Sequence, residues 1–135
     1  MIKIMADNNA DGHVKILVGI LLSDAWIEFW NELELTLVTF EDLGIHRDAI
    51  DTDLWKMCQR EQIILITSNR NADGPDSLET VIREENRNDS LLVFTLADAK
   101  RIGYDRDYVE RTAISLLQYL IYLDESLGAG RIYIP

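Results

Sequence analysis

The chain has 135 residues, of which 47% are hydrophobic and 27% are charged. That length fits one domain over residues 1–135 that buries a core without disulfides. The formal net charge of −11 opposes nonspecific attraction to nucleic acid or to an anionic membrane, so a phosphate-bearing partner needs a local basic patch or bound cations.

The single cysteine and the short apolar runs indicate the compartment. Cys58 has no second cysteine with which to form an internal disulfide, which favours a reducing cytosol. The first residues lack an apolar core long enough for a signal peptide. The longest apolar run, residues 16–22, is much shorter than a membrane span. We therefore expect a soluble cytoplasmic protein with no membrane partner.

The first half of the chain alternates apolar runs with amphipathic segments. Residues 2–6 and 35–40 are short apolar runs, the second rich in β-favouring residues, and predict the first two strands. Residues 13–22 are apolar on nearly every side, and residues 26–33 repeat large apolar side chains at helical spacing, so both predict helices. Residues 41–50 are expected to form a loop.

Cap residues and a buried strand organise the middle of the chain. Asp51 stands at the expected N-cap of the next helix. Residues 63–67 form a continuous β-rich run, which is typical of a strand covered on both faces, as in a parallel sheet. Asp76, with Glu79 three residues later, resembles a capping box that starts the following helix.

The last third predicts two more strands and the longest helix. Residues 91–96 and 131–134 are the strands, and Asp107 opens a helix expected over residues 108–125. The second half of that helix is apolar on more than one side, which predicts either core packing or a homodimer surface. Strands and helices alternate throughout, so we predict a three-layer α/β domain with a mainly parallel sheet of about five strands.

Polar side chains follow the predicted strands, where the chain leaves the sheet. Loops after parallel strands emerge at the carboxyl edge, so we expect their oxygens to converge there. Mg²⁺ and Mn²⁺ take oxygen ligands and need few carboxylates, because they keep several waters. The candidate metal ligands are Asp7, Asp51, Asp53, Asp73 and Asp98, and the candidate substrate contacts are Asn8, Thr67, Ser68 and Arg70.

These residues also have ordinary structural explanations. Asp51 and Asp53 are equally suited to capping a helix. Asn69 and Asn71 tolerate the left-handed backbone of a turn, whereas Arg70 between them also suits a loop that faces a phosphate. The residues alone leave both interpretations open.

Three segments, in the order in which they occur, resemble bacterial PIN-like domains. They are residues 4–9 (IMADNN), 51–55 (DTDLW) and 64–71 (ILITSNRN), and all of them lie before residue 80. The resemblance implies a single PIN-like domain and, as in the active members of the family, a Mg²⁺- or Mn²⁺-dependent ribonuclease.

Carried over residue by residue, the resemblance makes Asp7 the first catalytic carboxylate and Asp51, rather than Asp53, the second. The loop carboxylates of the family fall on Asn69 and Asn71, where an amide oxygen can ligate a metal but brings no charge. A unit charge pair at about 4 Å, at an effective dielectric near 20, interacts by about 4 kcal/mol, the upper scale of each lost carboxylate. The implied catalytic set is Asp7, Asp51, Asn69 and Asn71.

Two functions therefore remain open. One is an endoribonuclease with an altered acidic site, in which a metal-activated water attacks RNA. The other is a catalytically inactive PIN-like module that binds a protein or an RNA partner, an antitoxin-like protein being one such partner. A regulatory domain of the receiver type fits less well, because the chain lacks a convincing acidic pair after the first strand and a lysine after the last.

Overall fold

One parallel sheet organises the fold. The computed structural model describes residues 1–69 and 74–135, and its five strands lie in the order β2-β1-β3-β4-β5, with every neighbouring pair parallel. The strands are β1 (Ile2–Ala6), β2 (Leu35–Val38), β3 (Ile63–Thr67), β4 (Val93–Leu96) and β5 (Arg131–Ile134). The prediction of a three-layer α/β domain with a mainly parallel sheet is confirmed.

Helices connect the strands in the described part of the chain. They are α1 (Asp11–Leu21), α2 (Ile27–Glu32), α3 (Phe40–Leu43), α4 (Asp51–Arg60), α5 (Leu78–Glu85), α6 (Ala99–Ile102) and α7 (Arg106–Ile121), with 3₁₀ turns at Asn8–Ala10 and Leu123–Ser126. None of these helices is both long and apolar enough to cross a membrane.

Each face of the sheet carries its own apolar core. Because side chains alternate along a strand, Ile4, Ile66 and Phe94 point to the face that α1 and α7 cover. Met5 and Leu65 point to the other face, where they pack against α4 and α5. The continuous apolar runs predicted as strands are thus buried on both sides.

The helix starts differ from the predicted caps. Asp51 is the first residue of α4 rather than its N-cap, and no side chain caps that helix. The cap of α5 is Ser77, whose hydroxyl accepts a hydrogen bond from the Thr80 N–H at 3.2 Å, rather than Asp76. Asp76 and Ser77 are both residue types that cap helices. The sequence alone does not decide which of them adopts the extended backbone of a cap.

Three further boundaries differ from the predicted ones. β2 ends at Val38 because Thr39 and Asp42 form a reciprocal capping box that starts α3. α3 therefore takes Phe40, which was predicted to end the strand, and the first residues of the predicted loop. Asp105, not Asp107, caps the longest helix and accepts from the Tyr108 N–H at 3.1 Å. That helix ends at Ile121, and a 3₁₀ turn follows it.

The apolar surplus of the longest helix is largely core. Leu116, Leu117 and Leu120 are buried in the α1 and α7 face. Ile121 and Tyr122 remain exposed at its end. The homodimer through residues 108–125 stays a prediction, with only these last side chains left to support it.

The strand order creates a crevice at the carboxyl edge. From β1 the chain moves outward to the edge strand β2, and then returns to place β3 on the other side of β1. The loops after β1 and β3 therefore lead to opposite faces of the sheet, into α1 and α5. Ligands of open parallel sheets bind at such a switch point.

Candidate functional site

Asp7 lies in this crevice, directly after β1. Its N–H donates to the Ile66 carbonyl at 2.8 Å, so it continues the pairing of β1 with β3. Its carboxylate accepts from the Asn8 N–H at 2.7 Å and from the Thr67 hydroxyl at 3.0 Å. With 8% of the residue exposed, Asp7 is a buried acid that also caps a 3₁₀ turn.

Hydrogen bonds join the two loops of the crevice. The Asn9 side-chain oxygen accepts from the Ser68 N–H at 3.2 Å and lies 3.3 Å from the Thr67 hydroxyl. The Ser68 hydroxyl donates to the Asn9 carbonyl at 3.3 Å. The Thr67 hydroxyl also accepts from the Asn69 N–H at 3.0 Å. These bonds hold the start of the second loop beside Asp7.

The second carboxylate is Asp51, at the start of α4. Because α4 runs antiparallel to the strands, its first residue lies at the edge where β1 and β3 end. The Asn69 side-chain amide donates to one Asp51 oxygen at 2.8 Å. The structure therefore brings together Asp7, Asp51 and Asn69, three of the four predicted catalytic residues.

Asp51 lies close enough to Asp7 to affect the ionisation of the Asp7 carboxyl. Burial is the main cause that raises the pKa of Asp7, the Thr67 and Asn8 hydrogen bonds oppose it, and the charge of Asp51 raises it further. Within residues 1–69 and 74–135, no basic side chain forms an ion pair with Asp7 or Asp51. The pair thus holds negative charge that the described chain does not neutralise.

That donor set fits a hard divalent cation. The two carboxylates supply oxygen ligands of the type that Mg²⁺ and Mn²⁺ prefer, and these ions keep waters in their other positions, whereas Asn69 turns its NH₂ group toward Asp51. Across the described ranges, no group of three or more His, Cys, Asp or Glu side chains is arranged for a metal. A metal here would rest on two carboxylates, with less charge than a full acidic cluster offers.

The other predicted site residues are spread around this pair. Asp53 is exposed on α4, and Asp98 is exposed before α6. Among the described residues, no hydrogen bond joins Asp98 to Asp7 or Asp51. The Asn8 side chain accepts from Arg47 at 3.4 Å, a basic group close to the predicted substrate contacts. Arg70, Asn71 and Asp73 lie outside the described residues.

Cys58 lies beneath the site and is chemically inert there. It is 1% exposed and packs with the α4 and α5 core. Burial, with the charge of Asp7 as a second cause, raises the pKa of its thiol to about 12. A buried, protonated thiol is a poor nucleophile, so Cys58 is not a candidate for covalent chemistry at the site.

Sequence reasoning missed Arg131, on the first residue of β5. Its guanidinium donates to the Asn69 carbonyl at 2.8 Å, to the Thr95 hydroxyl at 2.6 Å and to a Glu79 oxygen at 3.0 Å. The one available signal was a charged residue opening an otherwise apolar strand, RIYI. Such a residue is more often at a solvent-facing position.

Comparison with known proteins adds no relative. No family model matches the chain, and neither the curated proteins nor the solved structures yield a significant match. A family or an activity can therefore only be proposed for this chain, from the geometry above and from the ordered sequence segments.

Proposed function

We propose that this chain is a PIN-like domain that hydrolyses RNA phosphodiester bonds with Mg²⁺ or Mn²⁺ bound at Asp7 and Asp51. One observation carries the proposal: a buried carboxylate lies near a second one, at the switch point of a parallel sheet, without a basic partner in the described chain. Burying such charge costs free energy unless something compensates it. A bound cation is the natural compensation.

The chain's own residues would hold the reacting groups. Asp7 and Asp51 would bind the ion, which supplies charge neutralisation at the phosphodiester and a water of lowered pKa. The Thr67 hydroxyl and the Asn8 N–H fix the Asp7 carboxylate in one orientation. Asn69 fixes the Asp51 carboxylate. Arg47, next to Asn8, would provide a positive group for a neighbouring phosphate by exchanging its ion pair with Glu41 for it.

The alternative function is a PIN-like module that binds a protein or an RNA without cleaving it. The specific observation in its favour is the Asn69 amide, which donates to Asp51 from a position where the family resemblance implies a carboxylate. That hydrogen bond partly stabilises the Asp51 carboxylate, so the carboxylate needs a cation less. We propose the cytosol as the compartment for either function, since a reducing environment suits the single buried cysteine.

Thermal unfolding with Mn²⁺ tests the proposed function. At about a hundred times its Kd, a ligand that binds only the folded state stabilises it by about 2.7 kcal/mol, which is roughly 10 °C in Tm for a domain of this size. We expect wild-type protein to show a Mn²⁺-dependent rise of this order and to cleave single-stranded RNA. Asp7→Asn should lose both.

Asp24→Asn is the matched control, because it makes the same chemical change at an exposed position after α1, at the opposite edge of the sheet. It should keep both the shift and the cleavage. A wild-type protein with no Tm shift in millimolar Mn²⁺ contradicts the metal site. A Mn²⁺ shift without RNA cleavage supports the binding module instead.

A further inference from the structure

Arg131 is unusual for its place in the sheet. In the row of paired residues that crosses the α4 and α5 face, Met5, Leu65 and Val93 precede it, all apolar and buried. The next member of that row is Arg131, with 7% of its side chain exposed. An aliphatic residue would continue the core at this position.

The buried guanidinium is only partly satisfied. Its Nε pairs with Glu79 and its Nη1 donates to Thr95 and Asn69, whereas its buried Nη2 has no hydrogen-bond partner in the described structure. A buried charge with an unpaired donor costs free energy that a well-packed apolar residue would not. Stability alone therefore does not explain Arg131.

Arg131 connects to the acidic site through Asn69. The backbone oxygen that it binds belongs to Asn69, a residue 62 positions away in sequence, and the Asn69 side chain reaches Asp51. Glu79, in the first turn of α5, holds the guanidinium from the other side. The bonds form a chain from α5 through Arg131 and Asn69 to Asp51.

We propose that Arg131 is the positioning residue of the acidic site: by holding the Asn69 carbonyl, it sets where the Asn69 amide meets Asp51. This inference deepens the proposed function and rests on it for the metal, but the Asn69–Asp51 contact is independent of any metal. Arg131 acts through Asn69 and does not itself touch the reacting atoms.

NMR of the Asn69 side-chain NH₂ group tests the contact directly, without metal. In wild-type protein, a hydrogen bond at 2.8 Å to a carboxylate should give a displaced, slowly exchanging resonance. In Arg131→Met, that resonance should move to the position of an exposed amide. Arg131→Lys keeps the charge but loses the planar guanidinium, so it should give an intermediate shift of that resonance. It also serves as the test variant if Arg131→Met does not fold.

The metal experiment asks whether positioning matters for binding. Loss of a residue that orients a ligand typically weakens metal binding by about ten- to a hundredfold, so we expect that loss of Mn²⁺ affinity in Arg131→Lys at a temperature where the protein is folded. Arg106→Met, at an exposed arginine on α7, is the control and should change neither the resonance nor the affinity.

The outcomes separate the two proposals. An unchanged Asn69 resonance in folded Arg131→Lys or Arg131→Met overturns the positioning role. A lowered Tm with an unchanged Mn²⁺ affinity also overturns it, since that is the behaviour of a purely structural residue. If wild-type protein binds no Mn²⁺, the proposed function fails, and the Asn69 resonance alone then decides the role of Arg131.

Discussion

The two faces of the sheet follow different rules. On the face covered by α1 and α7, the strands contribute only apolar side chains to the core, including Ile66 and Phe94. On the face covered by α4 and α5, apolar residues such as Leu65 give way at the carboxyl edge to Thr67, Thr95 and Asp7. The first face supplies folding free energy. The second face contributes less, because polar groups occupy positions where apolar side chains would stabilise the fold. Such a loss of stability is expected at a functional site.

The largest expected effect on stability comes from a substitution in the core of the apolar face. Leu116 on α7 is fully buried, and Leu116→Ala should lower the free energy of unfolding by about 3 kcal/mol, because it removes buried methyl groups and leaves a cavity. Urea denaturation measures this loss. The Mn²⁺-dependent rise in Tm should persist, because the acidic pair lies on the other face. A loss of that rise would show that the two faces are coupled.

A smaller effect of opposite sign is expected on the polar face. Without divalent metal, Asp7→Asn should raise the free energy of unfolding by about 1 kcal/mol, in the range typical of removing a functional compromise. The physical reason is that burial and the nearby Asp51 disfavour the ionised carboxylate. Urea denaturation in EDTA, at neutral pH, measures the gain. A destabilised Asp7→Asn would contradict the view that this carboxylate is held at a cost.

The pH dependence of that gain sharpens the comparison. Folding raises the pKa of Asp7, so the protonated acid contributes stability that is fully present below the unfolded pKa of about 4 and is lost as pH rises through the folded pKa. The advantage of Asp7→Asn over wild type should therefore widen toward neutral pH and shrink in acid. An advantage that is constant with pH would show that ionisation of Asp7 is not its cause.

The smallest effect comes from a carboxylate that does have a partner. Asp105 accepts from Arg101 at 2.7 Å, and this bond, with the Tyr108 N–H, lowers the pKa of the Asp105 carboxyl. Its contribution is present above the unfolded pKa and is lost as pH falls through the lower folded pKa. Asp105→Asn should thus destabilise slightly at neutral pH and converge with wild type in acid, the reverse of Asp7→Asn. Thermal unfolding against pH distinguishes the two slopes.

Parts of the site could be predicted because they depend on local pattern. Asp7 follows a strand whose bounds, residues 2–6, the apolar run predicts correctly, and the carboxyl edge follows from strand alternation. The sequence places Asp51 at the start of a helix but does not decide whether it caps that helix. In the structure it is not the cap, and its carboxylate accepts a hydrogen bond from the Asn69 amide instead. Asn71 and Asp73 lie outside the described residues, so their roles stay predictions.

The sequence by itself determined the class of the fold and the place of its strands. Apolar runs and helical spacing are properties of neighbouring residues, so β1, β3 and β5 and the parallel alternation are readable without contacts. Only the tertiary structure decided which polar atoms meet, because Asn69 reaches Asp51 across 18 positions and Arg131 reaches Asn69 across 62. Such pairs depend on how strands and helices pack in three dimensions. No local sequence pattern identifies the partner of a buried arginine at the start of a strand.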